Sequence, residues 1–314
     1  MTETDISLPA NGRTLGATLT TTGDTPGPAA LLISGSGPID RNSNTKRLSI
    51  DVMGRIAADL AAEGVGSLRY DKRGVGESEG DYHATGFHDN IADAEAALSA
   101  LIARPEVDPG RIVVIGHSEG ALIATALART EPLAGVALLA GTAQPGRQVL
   151  EWQAAQVAPT LPKPAKILLK LLRQDIVATQ AKRLDRLAAS TDYVIRIQLV
   201  KVNAKWFREF LAFDPADSLR QAGCPVLAIT GSKDIQVDPA DVARMSELVP
   251  TSFTGHVVDD VSHLLRHEAG PPSVRTYKKQ ADQPLDPRVV QLLLEWVKTT
   301  DRTAVRSDHT QRST

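Results

Sequence analysis

Residues 111–128 constrain this chain more than any other stretch. Arg111-Ile112-Val113-Val114-Ile115 is an apolar, β-branched run. It passes directly into Gly116-His117-Ser118-Glu119-Gly120 and then into Ala121-Leu122-Ile123-Ala124-Thr125-Ala126-Leu127-Ala128. The order is strand, sharp turn, helix, and in that context Gly-x-Ser-x-Gly reads as a nucleophile elbow. The serine backbone in such a turn is strained and crowded, so the turn needs a glycine two residues away on either side of it. The strain lifts the Ser118 hydroxyl off the sheet. It also points the amides of the following helix at a site where negative charge can develop.

The flanking sequence supplies a sheet for that strand to join. Ile6–Leu8 and Leu15–Thr20 read as strands joined at Asn11-Gly12, a hairpin signal. Ala29–Ile33, Val65–Tyr70, Val136–Ala140, Pro225–Ile229 and Ser252–Val258 read as further strands. Helical periodicity runs over 50–62, 90–103 and 289–297. Strands that alternate with helices imply right-handed crossovers and a mostly parallel sheet. Strands without polar alternation imply that both of its faces are covered. The expected fold class is therefore α/β, with a core in two parts, residues 1–143 and 216–300. Between them, residues 144–215 show helical segments, at 175–187 and 192–211, and no strand pattern; they read as an all-helical cap. Residues 301–314 are almost free of apolar side chains and are expected to be a disordered tail.

A net charge of −2 argues against a nucleic-acid partner recruited by bulk positive charge. The acidic, polar start of the chain and the lack of any apolar run of about 18 residues predict a cytoplasmic protein with no membrane insertion. The single cysteine, Cys224, opens an apolar run and reads as a small buried hydrophobe. His83 and His88, near Asp81 and Asp89, fit no standard ligand spacing, so no metal and no cofactor is expected.

A serine hydroxyl needs a base, and the base needs a carboxylate to orient it. Asp234 lies in the turn after strand 226–230, and His263 follows the last strand; functional groups gather at such carboxyl ends. Asp238 competes with Asp234, but its position before Pro239 suits a helix cap. The order is then nucleophile Ser118, acid Asp234, base His263. For the oxyanion, the Glu119 amide is one candidate donor, and Ser36 in Ser34-Gly35-Ser36-Gly37 is the other, with Gly35 as its alternative. The Glu119 side chain reads as a structural hydrogen-bonding group. Gly35, His117, Trp152, Trp206 and Phe210 are candidates for the substrate pocket.

These motifs resemble those of α/β-hydrolase fold serine hydrolases. More narrowly, Gly35-Ser36-Gly37-Pro38, Asp40-Arg41 and the elbow resemble bacterial carboxylesterases of the serine aminopeptidase-like group. Tyr70–Ser78, Gly231–Asp234 and Ser262-His263 extend the resemblance over roughly residues 10 to 300. It implies an ester hydrolase with a mobile cap and a small-molecule ester substrate; Ser34-Gly35 departs from the wider superfamily's His-Gly. Peptidase, amidase or thioesterase chemistry on the same residues is the alternative, and a non-catalytic binding protein a lesser one. The insertion has 12 Lys/Arg against 6 Asp/Glu, which does not favour recognition of a substrate amine. Neither the physiological substrate nor an oligomeric state follows from the sequence.

Overall fold

A computed structural model describes the chain except residues 163, 165, 168–170, 172–174, 198 and 312–314. The elements run β1 (Thr2–Ala10), β2 (Arg13–Thr21), β3 (Gly27–Ile33), α1 (Val52–Ala62), β4 (Gly66–Tyr70), α2 (Phe87–Ile102), β5 (Val107–His117), α3 (Glu119–Thr130) and β6 (Gly135–Leu139). They continue with α4 (Gly146–Val157), α5 (Ile176–Ala189), β7 (Val194–Ile197), β8 (Val200–Asn203), α6 (Ala204–Ala212), β9 (Val226–Gly231), α7 (Asp241–Leu248), β10 (Phe253–Val258) and α8 (Pro287–Gln311).

Eight strands form one sheet in the order β1-β2-β4-β3-β5-β6-β9-β10. β2 runs antiparallel to both β1 and β4, and every other pair is parallel. Side chains alternate between two buried faces. Leu31, Ile33, Ile112 and Val114 pack with α2 and α3, while Leu32, Val113 and Ile115 pack with α1 and α8. That is why these strands read as unbroken apolar runs.

The strand order reverses between β3 and β5, with β4 on one side of the central pair and β6 on the other. At such a switch point the loops leaving the two strands diverge and open a crevice. Register pairs Ile33 with Gly116, so the loop from Ser34 and the turn at Ser118 leave the sheet side by side.

The cap is not all-helical. The pattern predicts one helix over 192–211, but 194–197 and 200–203 pair as antiparallel strands, with Ile195 opposite Val202. Val194, Ile195, Ile197, Val200 and Val202 are β-branched and favour the pleated conformation over a helix. Leu187, Val202 and Ala204 bury together beneath the hairpin. The helical reading holds from Ala204, where the Asn203 side chain accepts the Trp206 amide at 2.9 Å and caps α6. α8 runs from Pro287 to Gln311, and residues 312–314 of the expected tail lie outside the described residues. Arg111 forms a two-pronged ion pair with Asp301 that fastens this helix to β5.

Candidate active site

Ser118 adopts φ 56° and ψ −118°, a left-handed conformation that a side-chain-bearing residue pays to hold. Its amide donates to Leu139 O at 2.9 Å, and its carbonyl accepts the Ala121 amide at 2.9 Å. The flanking glycines are required by close approach. A Cβ on Gly116 would stand 2.0 Å from Gly120 O, and one on Gly120 would stand 2.1 Å from Ile33 O. The turn therefore folds against β3, and Gly35 lies over the nucleophile: a Cβ there would be 3.2 Å from Ser118 Cβ.

Asp234 and His263 meet beyond the carboxyl ends of β9 and β10. His263 Nδ1 donates to Asp234 Oδ2 at 2.7 Å. The other oxygen, Oδ1, accepts the amides of Gln236 at 2.7 Å and Val237 at 3.0 Å. The carboxylate is fully buried and both of its oxygens are engaged. Asp238 does not reach the imidazole; it caps α7's approach through the Ala240 amide and pairs with Arg244. No hydrogen bond joins Ser118 Oγ to His263 among the described residues. Such bonds are commonly long until substrate is bound.

His117 is behind the site, not in it. Its Nε2 donates to His263 O at 2.8 Å, and the two rings lie 5.0 Å apart. Burial, reinforced by the adjacent His263, pushes the His117 imidazole down to about 3, so the ring is neutral. It acts as a neutral strut between the elbow and the His263 loop. Arg266 braces that loop from the other side, donating to the carbonyls of Gln283, Leu264 and Ile50. With no carboxylate bonded to it, burial lowers its guanidinium to about 10.

Ser118, Glu119 and Ser36 line a cavity of about 60 Å³ with Leu122, Thr142, Val149, Leu150, Gln153, Trp206, Phe210, Gln236 and Val237. Of the expected pocket residues, Trp206 and Phe210 are here, stacked at 4.6 Å. Trp152, Gly35 and His117 are not among the lining residues. The Ser36 and Gly35 amides donate to no acceptor among the described residues, and of the two only Ser36 lines the cavity.

The Glu119 side chain is a hub that the sequence left unspecified. Its Oε1 accepts from Asn90 Nδ2 at 2.8 Å and from the cap's Trp206 Nε1 at 3.2 Å, and it pairs with Lys72 Nζ at 3.2 Å. Lys72 and Asn90 were missed. Asn90 carried a signal: it falls on the stripe Phe87, Asn90, Ala94, Leu98, Leu101 of α2's buried face, where Asp93 is the other polar residue. Arg41 of the Asp40-Arg41 motif bonds Asp71 at 2.7 Å and Glu77 at 2.6 Å, tying the loop after β3 to the loop after β4. Burial pushes the Cys224 thiol up to about 11, away from nucleophilic use. Among the described residues no three His, Cys, Asp or Glu side chains cluster as metal ligands, and no helix is long and apolar enough to cross a membrane.

The switch-point crevice, the strained serine and the acid and histidine after later strands define the α/β-hydrolase fold. The chain belongs to the serine aminopeptidase (S33) family, whose model matches residues 49–270. It is 28% identical over 288 residues to esterase EstD of Thermotoga maritima, covering 88% of this chain and 63% of that protein. It thus spans less than two thirds of the length of the curated relatives it matches. Solved structures share the fold at low identity. Est1E of Butyrivibrio proteoclasticus, with ferulic acid bound, superposes with TM-score 0.63 at 16% identity, covering 96% of this chain and 99% of that one. The proline iminopeptidase of Mycobacterium smegmatis gives TM-score 0.64 at 16% identity, covering 96% and 100%.

Proposed function

We propose that this protein is a serine carboxylic-ester hydrolase acting on small acyl esters. The observation that carries the reading is the His263–Asp234 hydrogen bond of 2.7 Å, taken together with a serine held on a strained elbow. Ser118 Oγ attacks the ester carbonyl and His263 Nε2 takes its proton. Asp234 fixes the tautomer that leaves Nε2 free to do so and stabilises the imidazolium that forms. The Glu119 and Ser36 amides, neither committed elsewhere, donate to the oxyanion. His263 then protonates the departing alcohol, and water, activated by the same histidine, releases the acid.

The fold does not choose between ester and amide, since an esterase of Pyrococcus furiosus and the iminopeptidase superpose about equally well, at TM-scores of 0.62 and 0.64. The cavity favours the ester. Its one carboxylate, Glu119, is already paired with Lys72, so no free negative charge receives a peptide's terminal ammonium. EstD, the relative that covers most of this chain, is an esterase by name.

Turnover of p-nitrophenyl esters from acetate to palmitate tests the reading. Activity should be highest at short chains, and Ser118→Ala should lose at least about 10⁴-fold in kcat. Ser118→Ala retaining wild-type turnover would overturn the assignment. Absence of both turnover and fluorophosphonate labelling at Ser118 would instead point to a binding protein.

A further inference from the structure

The loop that carries the proposed acid is also where the cap is seated. Asp234 Oδ1 is held by two backbone amides, those of Gln236 and Val237. The Gln236 side chain makes two bonds of its own. Its Oε1 accepts Gln153 Nε2 of α4 at 3.0 Å, and its Nε2 donates to the Tyr277 hydroxyl at 3.1 Å. One residue thus bonds the acid through its main chain and the cap through its side chain.

Other contacts join α4 to the same loop. Val149 of α4 and Val237 bury in one apolar cluster. At the base of the insertion, Thr142 Oγ1 donates to Asp241 Oδ2 at 2.6 Å and Gln144 Nε2 donates to Asp241 Oδ1 at 3.2 Å. Asp241 is fully buried at the start of α7. The segment 234–241 is therefore at once the mount of the acid and the seat of α4.

An imidazole works only with its carboxylate in place, and a misplacement of about 1 Å at a reacting group can cost about 100-fold in rate. The Tyr277 side of Gln236 belongs to the core. Burial, with the nearby Asp234 charge, raises the Tyr277 phenol, so its hydroxyl stays neutral. The Gln153 side belongs to the cap and moves with it. We propose that Gln236 is a positioning residue that links the cap to the acid. With α4 seated, Gln153 and Tyr277 hold Gln236 from two sides, and its amide fixes Asp234 against His263. With α4 lifted, Gln236 keeps only Tyr277 and is free to turn, and the amide on Asp234 turns with it. Ser118 is then fully reactive only beneath a seated cap. The inference rests on the reading of Ser118, His263 and Asp234 given above and adds what controls them.

Gln153→Met tests it. The variant side chain keeps its length and most of its volume but loses the bond to Gln236. Gln153 is half-buried on a helix, and Met is a good helix former, so the fold is kept. On p-nitrophenyl acetate, kcat should fall by about fivefold while KM changes by less than about twofold. The rate of Ser118 labelling by a fluorophosphonate should fall with it, and carries the same comparison if the ester is a poor substrate. Gln236→Met should cost at least as much. In that background Gln153→Met should cost nothing further, because the bond it removes is already gone. Gln236→Leu is the second background should the Met variant not fold. Both glutamines line the cavity beside Ser118, so a direct contact with substrate is the competing role. A substrate contact by Gln153, or plain support of the cap, would cost the same factor in both backgrounds, and that result overturns the inference. Wild-type kcat and labelling in Gln153→Met overturn it as well. Either result leaves the esterase reading standing. A wild-type protein that neither turns over the ester nor takes the label overturns both.

Discussion

Ser118 holds a left-handed backbone at a cost of about 1–3 kcal/mol, and the residues around it are what sustain the strain. Asp234 has the most constrained job among them. Asp234→Asn keeps an oxygen for the Gln236 and Val237 amides, and so turns its NH₂ toward His263 Nδ1. That holds the imidazole with its proton on Nε2, where the Ser118 proton has to go. We expect kcat to fall by about 10⁴-fold with the fold intact, checked by steady-state kinetics beside circular dichroism. His117 yields a second prediction, about stability. Its ring takes up a proton near 6.5 in the unfolded chain and only near 3 when folded. Between those values the unfolded chain carries the extra proton. The stability that neutral His117 confers is therefore complete above about 6.5 and is lost as pH falls toward 3, at up to about 1.4 kcal/mol per pH unit. His117→Gln can still donate to His263 O but does not titrate. Urea unfolding of the two proteins between pH 6 and 4 should show a shallower pH dependence for the variant, by close to one proton; parallel curves would show that His117 is not buried neutral.

At the scale of elements, what was legible depended on how long and how periodic each segment is. The elbow, β9 with Asp234 after it, and β10 followed by His263 stood out because each couples an apolar run to a polar turn at its carboxyl end. The β7–β8 hairpin was missed. Its strands are only four residues each, too short for the alternation of Ile195-Arg196-Ile197 and Val200-Lys201-Val202 to stand out from the flanking helical pattern. The Glu119 hub was invisible for a different reason: Lys72, Asn90 and Trp206 come from three separate segments, and only the fold brings them together. The same holds for the way α6 is fastened down. Asn203 caps α6, and its Nδ2 donates to Tyr82 O and Thr85 O, each at 2.7 Å. Lys205 pairs with Asp89 at 2.6 Å beside it. Phe210 and Phe213 pack the far end of α6 onto Phe87 of α2, so it is the amino-terminal end of the helix and the hairpin before it that rest on these few polar ties and should open locally without global unfolding. Asn203→Ala removes one cap bond and two docking bonds. Limited proteolysis within residues 144–203 should then speed up by about tenfold or more, while the thermal midpoint of the core shifts little.

For the whole molecule, the position of the insertion matters more than its internal structure. It leaves the sheet after β6 and returns before β9, two strands that sit side by side, with Leu139 of β6 bonded to the Ser118 amide and Asp234 in the turn after β9. A segment inserted between those strands is bound to roof the switch-point crevice. Here it closes the crevice to about 60 Å³, far below the roughly 300 Å³ at which ordinary ligand pockets begin. On the ester-hydrolase reading, acyl length is set by how far α4 and α6 press down on Ser118, and Leu150 is the lining side chain best placed to show it. It is half-buried on α4 and bonded to nothing in the Glu119 hub or around Asp234. Leu150→Ala deletes three carbon atoms from the roof and leaves the reacting groups untouched. If the roof sets the length, the kcat/KM ratio of p-nitrophenyl hexanoate to acetate should rise by about tenfold, since each methylene admitted to an apolar pocket is worth about 1–3 kcal/mol of discrimination. The acetate rate should change little. A variant that loses activity on every chain length in proportion would show that Leu150 supports the cap and does not measure the substrate.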